Sequence, residues 1–164
     1  MASPLVLIVD DEPSFLEVAS LMLSKAGYAV APASNAQEAL EIVRNTEIDM
    51  IISDVVMPGI QGPELLEIVE QAAPETALML MSAAPMAPAT KFAFLRKPFH
   101  SSELTLAVER TLGATKRLGK NLARAVTRGT QRQTESQRVI RETKEAEAAG
   151  AGEMIESLRK KAVG

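Results

Sequence analysis

Cysteine is missing from this 164-residue chain, and so is tryptophan. Without thiols there is no disulfide framework and no thiolate metal site, and an intracellular home is expected. Aromatic residues make up only 3% of the sequence, whereas hydrophobic residues make up 46%. The core must therefore be aliphatic, with most of the eight methionines serving as adaptable filler. No apolar run approaches membrane-spanning length. The opening Met1-Ala2-Ser3-Pro4 lacks the basic start of a signal peptide, so a cytoplasmic protein without a membrane partner is expected.

A net charge of -3 hides an asymmetry. Residues 1–113 carry 15 acids and 6 bases, whereas residues 114–164 carry 6 acids and 12 bases. Opposite signs suggest two jobs. The expected division is a globular domain over 4–113 and a basic extension over 114–164, helical or partly disordered.

Along the chain, Leu5–Val9 is an aliphatic run that reads as a central strand and ends in Asp10-Asp11-Glu12. Pro13 can sit in the first turn of a helix whose apolar positions include Phe15, Leu16, Ala19 and Leu23, closed by Gly27. Tyr28–Ala31 reads as a second strand. Asn35 caps a helix through Ala39, Leu40, Ile42 and Val43. Met50-Ile51-Ile52-Ser53 is a third strand, stopped by Asp54 and the turn Met57-Pro58-Gly59. Gly62-Pro63 starts a third helix. Ala77–Met81 reads as a fourth strand ending at Ser82, and Phe92–Leu95 as a fifth, followed by Arg96-Lys97-Pro98-Phe99. Ser101 or Ser102 is expected to cap a last helix through Leu104, Val108 and Leu112. His100 reads as an exposed loop residue rather than a proton relay.

Strands alternating with helices imply βαβ units and an α/β, doubly wound parallel sheet. In such a sheet the carboxyl ends of the strands share one edge, where ligands bind. Asp10, Asp11, Asp54, Ser82 and Lys97 all fall there. Three carboxylates make a hard-oxygen site suited to Mg²⁺, since like charges so close need a cation or a proton between them. One carboxylate can attack phosphorus, a hydroxyl can donate to a phosphoryl oxygen, and a lysine can neutralise charge.

These residues resemble the receiver domain of two-component response regulators: Asp10-Asp11 after the first strand, Asp54 with Met57-Pro58-Gly59 after the third, Ser82-Ala83 after the fourth, and Lys97-Pro98-Phe99 after the fifth. The resemblance covers roughly residues 4–113. It implies a flavodoxin-like five-stranded sheet of order 2-1-3-4-5. It also implies that Asp54 accepts a phosphoryl group from a histidine kinase or phosphotransfer protein. Asp11, Asp54 and the Val56 carbonyl would then hold Mg²⁺, with Asp10 helping through water. Ser82 and Ala83 would bind the phosphoryl group, Lys97 would pair with it, and Phe94 would follow Ser82 inward. A cis Lys97–Pro98 bond belongs to the same pattern. Val56 and Ala84, which flank the water path to an aspartyl phosphate in relatives, are apolar here, which implies slow self-dephosphorylation. An enzyme of this general fold, an aspartate-nucleophile phosphatase, would want a second aspartate where Val56 stands.

Two features depart from the family pattern. The 15 positions from Ser82 to Lys97 are too few for a full fourth helix, and Pro85 and Pro88 discourage one, so a loop or single turn is expected. Beyond Leu112, Thr115, Leu118, Leu122 and Val126 keep steps of three or four and extend the last helix. Six bases from Lys116 to Arg132 have no acid among them. A helix that pairs with a second copy or a partner is expected; the alternative is a nucleic-acid-binding regulator using this basic tail, although no recognition motif is present.

Overall fold

The computed structural model describes residues 2–85 and 89–148. Its elements in order are β1 (Leu5–Val9), α1 (Pro13–Lys25), β2 (Ala29–Ala33), α2 (Ala36–Asn45), β3 (Met50–Asp54), α3 (Gly62–Ala72), β4 (Ala77–Ser82), β5 (Ala93–Arg96) and α4 (Ser101–Ala148). The chain divides into two compact units, residues 1–117 and 118–164.

In the first unit all strands are parallel, in the order β2-β1-β3-β4-β5. The two middle strands are apolar on both faces, so Val6 to Val9 and Met50 to Ile52 are fully buried. Alternate side chains feed two cores. One packs Val6, Ile8, Met50, Ile52, Met79 and Met81 beneath α1 and the start of α4. The other packs Leu7, Val9, Ile51 and Leu80 against α2 and α3.

Local chemistry sets most boundaries. Asn35 accepts the Glu38 N–H at 2.8 Å and caps α2. Pro32 lies inside β2, one residue beyond the expected strand, and β2 tolerates it as an edge strand. The expected serine cap of α4 is corrected. Ser101 is already helical, and His100 precedes it, its carbonyl accepting from the Glu103 and Leu104 amides while its own N–H donates to the Glu103 carboxylate at 2.6 Å. That reciprocal pair does the work assigned to serine. His100 is exposed, as expected.

Between Ser82 and Ala93 the described residues form no helix; Met86, Ala87 and Pro88 of the proline-rich stretch lie outside them. In the second unit, α4 runs on to Ala148 with Leu118, Leu122, Val126 and Ile140 exposed. Arg138 pairs with Glu135 and Glu142, and Arg141 with Glu145, at helical spacing. Met154, Ile155 and Leu158, whose spacing reads in the sequence as a short amphipathic piece, lie outside the described residues. Among the described residues, no helix is long and apolar enough to cross a membrane.

Candidate functional site

Register alone brings the polar residues together. Val9 pairs with Ser53, so Asp10, one residue on, comes beside Asp54. Asp54 pairs with Met81, and Ser82 with Arg96, which places Lys97 one step further along the same edge. Four strand ends thus deliver three carboxylates, a hydroxyl and an ammonium to one crevice. Oxygens of Asp10, Asp11 and Asp54 lie within 4.8 Å of one another.

The three acids differ in environment. Asp11 is exposed. Asp10 is 1% exposed, and both its oxygens are engaged: Oδ1 accepts the Glu12 N–H at 2.9 Å, and Oδ2 is bonded to Lys97 Nζ. Asp54 is half-buried; its Oδ1 accepts the Val55 N–H at 3.0 Å and lies 3.7 Å from Lys97 Nζ. Burial pushes the Asp54 carboxyl above its ordinary pKa, and the charges of Asp10 and Asp11 add to the rise, while Lys97 and the Val55 amide oppose it. A cation or a covalent cap would therefore relieve the Asp54 charge.

Ser82 is 3% exposed and its Oγ accepts the Ala84 N–H at 3.1 Å. Its carbonyl accepts the Lys97 N–H, tying the two loops together at 2.9 Å. Ala83 and Ala84 are exposed, and the Lys97–Pro98 bond is cis. Val56 follows the end of β3 with its side chain in solvent. Phe94 is not among the acids. It pairs with Leu80, two residues before Ser82, and packs half-buried into the α2–α3 core.

Three contributors escape the sequence reading. Gly62 is the first: a Cβ there would stand 2.0 Å from the Asp54 carbonyl oxygen, so only glycine lets α3 approach the back of the site. The Gly62-Pro63 pair signals a helix start and nothing about that approach. Gln61 is the second; its side chain donates to the Met57 carbonyl at 2.7 Å and braces the turn after Asp54, with no local signal. Phe15 is the third. It reads as an ordinary apolar helix position, yet its ring centroid lies 3.9 Å from Lys97 Nζ.

A family model for the response regulator receiver domain matches residues 6–109. The sensor kinase CckA of Brucella abortus (strain 2308) is 36% identical over 119 residues, which are 67% of this chain and 13% of CckA. A receiver domain protein from Clostridium thermocellum, known from its crystal structure, aligns with a TM-score of 0.63 at 27% identity, covering 70% of this chain and 98% of that one. Response regulator TrrA of Thermotoga maritima, crystallised with Mg(2+)-BeF, aligns with a TM-score of 0.62 at 27% identity, covering 66% of this chain and 98% of that one. This chain spans between 11% and 26% of the length of the leading curated relatives, so the likeness is to one domain of larger proteins. Matched motif, strand order and acid cluster all fall in the same stretch, and the chain belongs to the family of response regulator receiver domains.

Proposed function

We propose that this protein is a phosphorylatable switch in which Asp54 accepts a phosphoryl group from a phosphohistidine on a kinase or phosphotransfer protein. The observation that carries this reading is Asp54 itself, half-buried with its pKa raised, between Asp10, Asp11 and Lys97. An Asp54 carboxylate oxygen attacks phosphorus. The new O–P bond forms as the donor P–N bond breaks, and the departing imidazole nitrogen keeps the electron pair and takes a proton. Lys97, 13% exposed and already at both carboxylates, neutralises one phosphoryl oxygen. Ser82 Oγ can turn from accepting the Ala84 amide to donating to another phosphoryl oxygen. Phe94 can then move into the volume that Ser82 vacates.

The donor set fits a magnesium ion: hard oxygens only, closely spaced, one of them exposed for water-bearing coordination. Asp11, Asp54 and the Val56 carbonyl would hold it directly. Asp10, with both oxygens engaged, would act through water. When bound, the ion supplies charge neutralisation for the attacking and transferred oxygens. Val56 and Ala84 offer no group to orient water, so the aspartyl phosphate is long-lived.

Incubation with Mg²⁺ and a small phosphodonor should add one acid-labile, base-labile phosphoryl group by intact mass. Its decay should be slow, and faster when polar residues replace both Val56 and Ala84. Asp54→Asn should abolish the gain while preserving the fold. Undiminished labelling of that variant overturns the assignment.

We place the output in a protein contact made by residues 114–164, through a second copy or a partner helix. The support is a helical face on which Leu118, Leu122 and Val126 stand in solvent. Lys116, Arg117, Lys120, Arg124 and Arg128 lie along the same helix. With no acid interleaved, they also keep nucleic acid as the rival partner.

A further inference from the structure

Among the described residues the Lys97 ammonium meets two acids and one aromatic ring. Asp10 Oδ2 bonds its ammonium and Asp54 Oδ1 lies 3.7 Å away. The third is the face of Phe15, from the first turn of α1. That ring is itself fixed edge-on by Phe99, centroid to centroid 5.8 Å at 80°. The chain has four phenylalanines, and one of them meets this ammonium while a second holds that ring.

We propose that Phe15 is a positioning residue: its ring holds the Lys97 ammonium inward, between Asp10 and Asp54, where it can meet a phosphoryl group. This rests on the reading of Asp54 as the phosphoacceptor. A lysine on a four-carbon stem is free to swing, and a groove of about 370 Å³ lined by Phe15, Met22, Ala83, Lys97, Pro98 and Phe99 gives it somewhere to go. Asp54 would share its charge with a metal ion, which leaves Asp10 and the ring as the two holds on the ammonium. Among the described residues, Lys97 is the cation that meets the Phe15 ring. An aliphatic residue of similar bulk would fill the space, but it lacks the negative π-face that attracts an ammonium.

The test compares full-length wild type with Phe15→Leu and Phe15→Tyr. In the unphosphorylated protein, NMR of the Lys97 Cε protons should show an upfield ring-current shift that Phe15→Leu removes and Phe15→Tyr keeps. With Mg²⁺ and a small phosphodonor, Phe15→Leu should slow phosphoryl uptake by about two- to thirty-fold, the range a cation–π contact spans between exposed and desolvated sites. Phe15→Tyr should stay near the wild-type rate. A wild-type rate in Phe15→Leu, or an equal loss in Phe15→Tyr, overturns the proposal, the latter by showing that packing alone matters. A Lys97 shift that survives Phe15→Leu overturns the contact whatever the rates. A wild type that takes up no phosphoryl group defeats the Asp54 reading and the role of Phe15 in it, while the ring-current result still decides the contact.

Discussion

Leu7 and Leu122 are the same residue under opposite conditions: the first is 0% exposed in β1, the second 66% exposed in α4. In residues 1–117 each large aliphatic side chain on the middle strands has a covered face waiting for it. In residues 118–148, Leu118, Leu122, Val126 and Ile140 stand exposed. Burial of a leucine is worth about 1.5–3 kcal/mol, which Leu7 gains within the first unit and the exposed Leu118 and Leu122 do not. An isolated helix gains little from propensity, so the exposed Leu118, Leu122 and Val126 are where the proposed partner contact can be tested.

The largest effect should come from the exposed face. If Leu118, Leu122 and Val126 pair with a second copy, replacing all three by serine removes several kcal/mol of burial from the complex. Sedimentation should then show a dimer for the full-length protein and a monomer for the variant, with the melting of the receiver unit unmoved. A full-length protein that sediments as a monomer rules out self-pairing. Tight, salt-sensitive binding to duplex DNA would instead promote the nucleic-acid reading.

Glycine sharpens the contrast with a smaller effect and a change of sign. Gly62→Ala forces a Cβ into the Asp54 carbonyl and should destabilise the first unit by about 1–3 kcal/mol, with loss of the site geometry. Gly119 has open space around its Cβ position. Gly119→Ala should therefore stabilise the helix by up to about 1 kcal/mol, read as a gain in helical circular dichroism. Equal effects at the two positions would mean that the two regions do not differ in packing.

The sheet was legible because its signals are local. Apolar runs of strand length place all five strands to within two residues, four of them stopped by a polar residue, and Asn35 announces its own cap. The site was legible for a related reason: parallel strands put their ends on one edge, so residues distant in sequence needed no contact information to converge. What sequence could not supply is which atom touches which. Phe15 looks like any apolar position of α1, because nothing in its spacing says that a lysine 82 residues later lies on its face. Gly62 announces a helix start, but the carbonyl that excludes a side chain there belongs to Asp54. Serine is the better cap by type, yet the Glu103 carboxylate answered the His100 amide and moved the helix start.

The smallest effect lies within the site itself and separates Asp54 from its neighbours. Burial raises the Asp54 pKa, with Asp10 and Asp11 reinforcing it. A carboxyl whose folded-state pKa lies above its unfolded value binds its proton more tightly when folded. Its ionisation therefore costs stability above the raised pKa. That cost shrinks as the pH falls through the raised value and is gone below the ordinary aspartate value. Asp54→Asn removes the charge, so the variant should be the more stable protein at neutral pH, by a modest margin because Asp54 keeps 15% of its side chain in solvent and Lys97 opposes the shift. Denaturant melts in chelator should show that margin closing as the pH is lowered through the window between the two values. Added Mg²⁺ should close it at neutral pH by stabilising the wild type alone. A margin that stays constant across pH, with or without the ion, would show that Asp54 is no more strained than an ordinary surface acid.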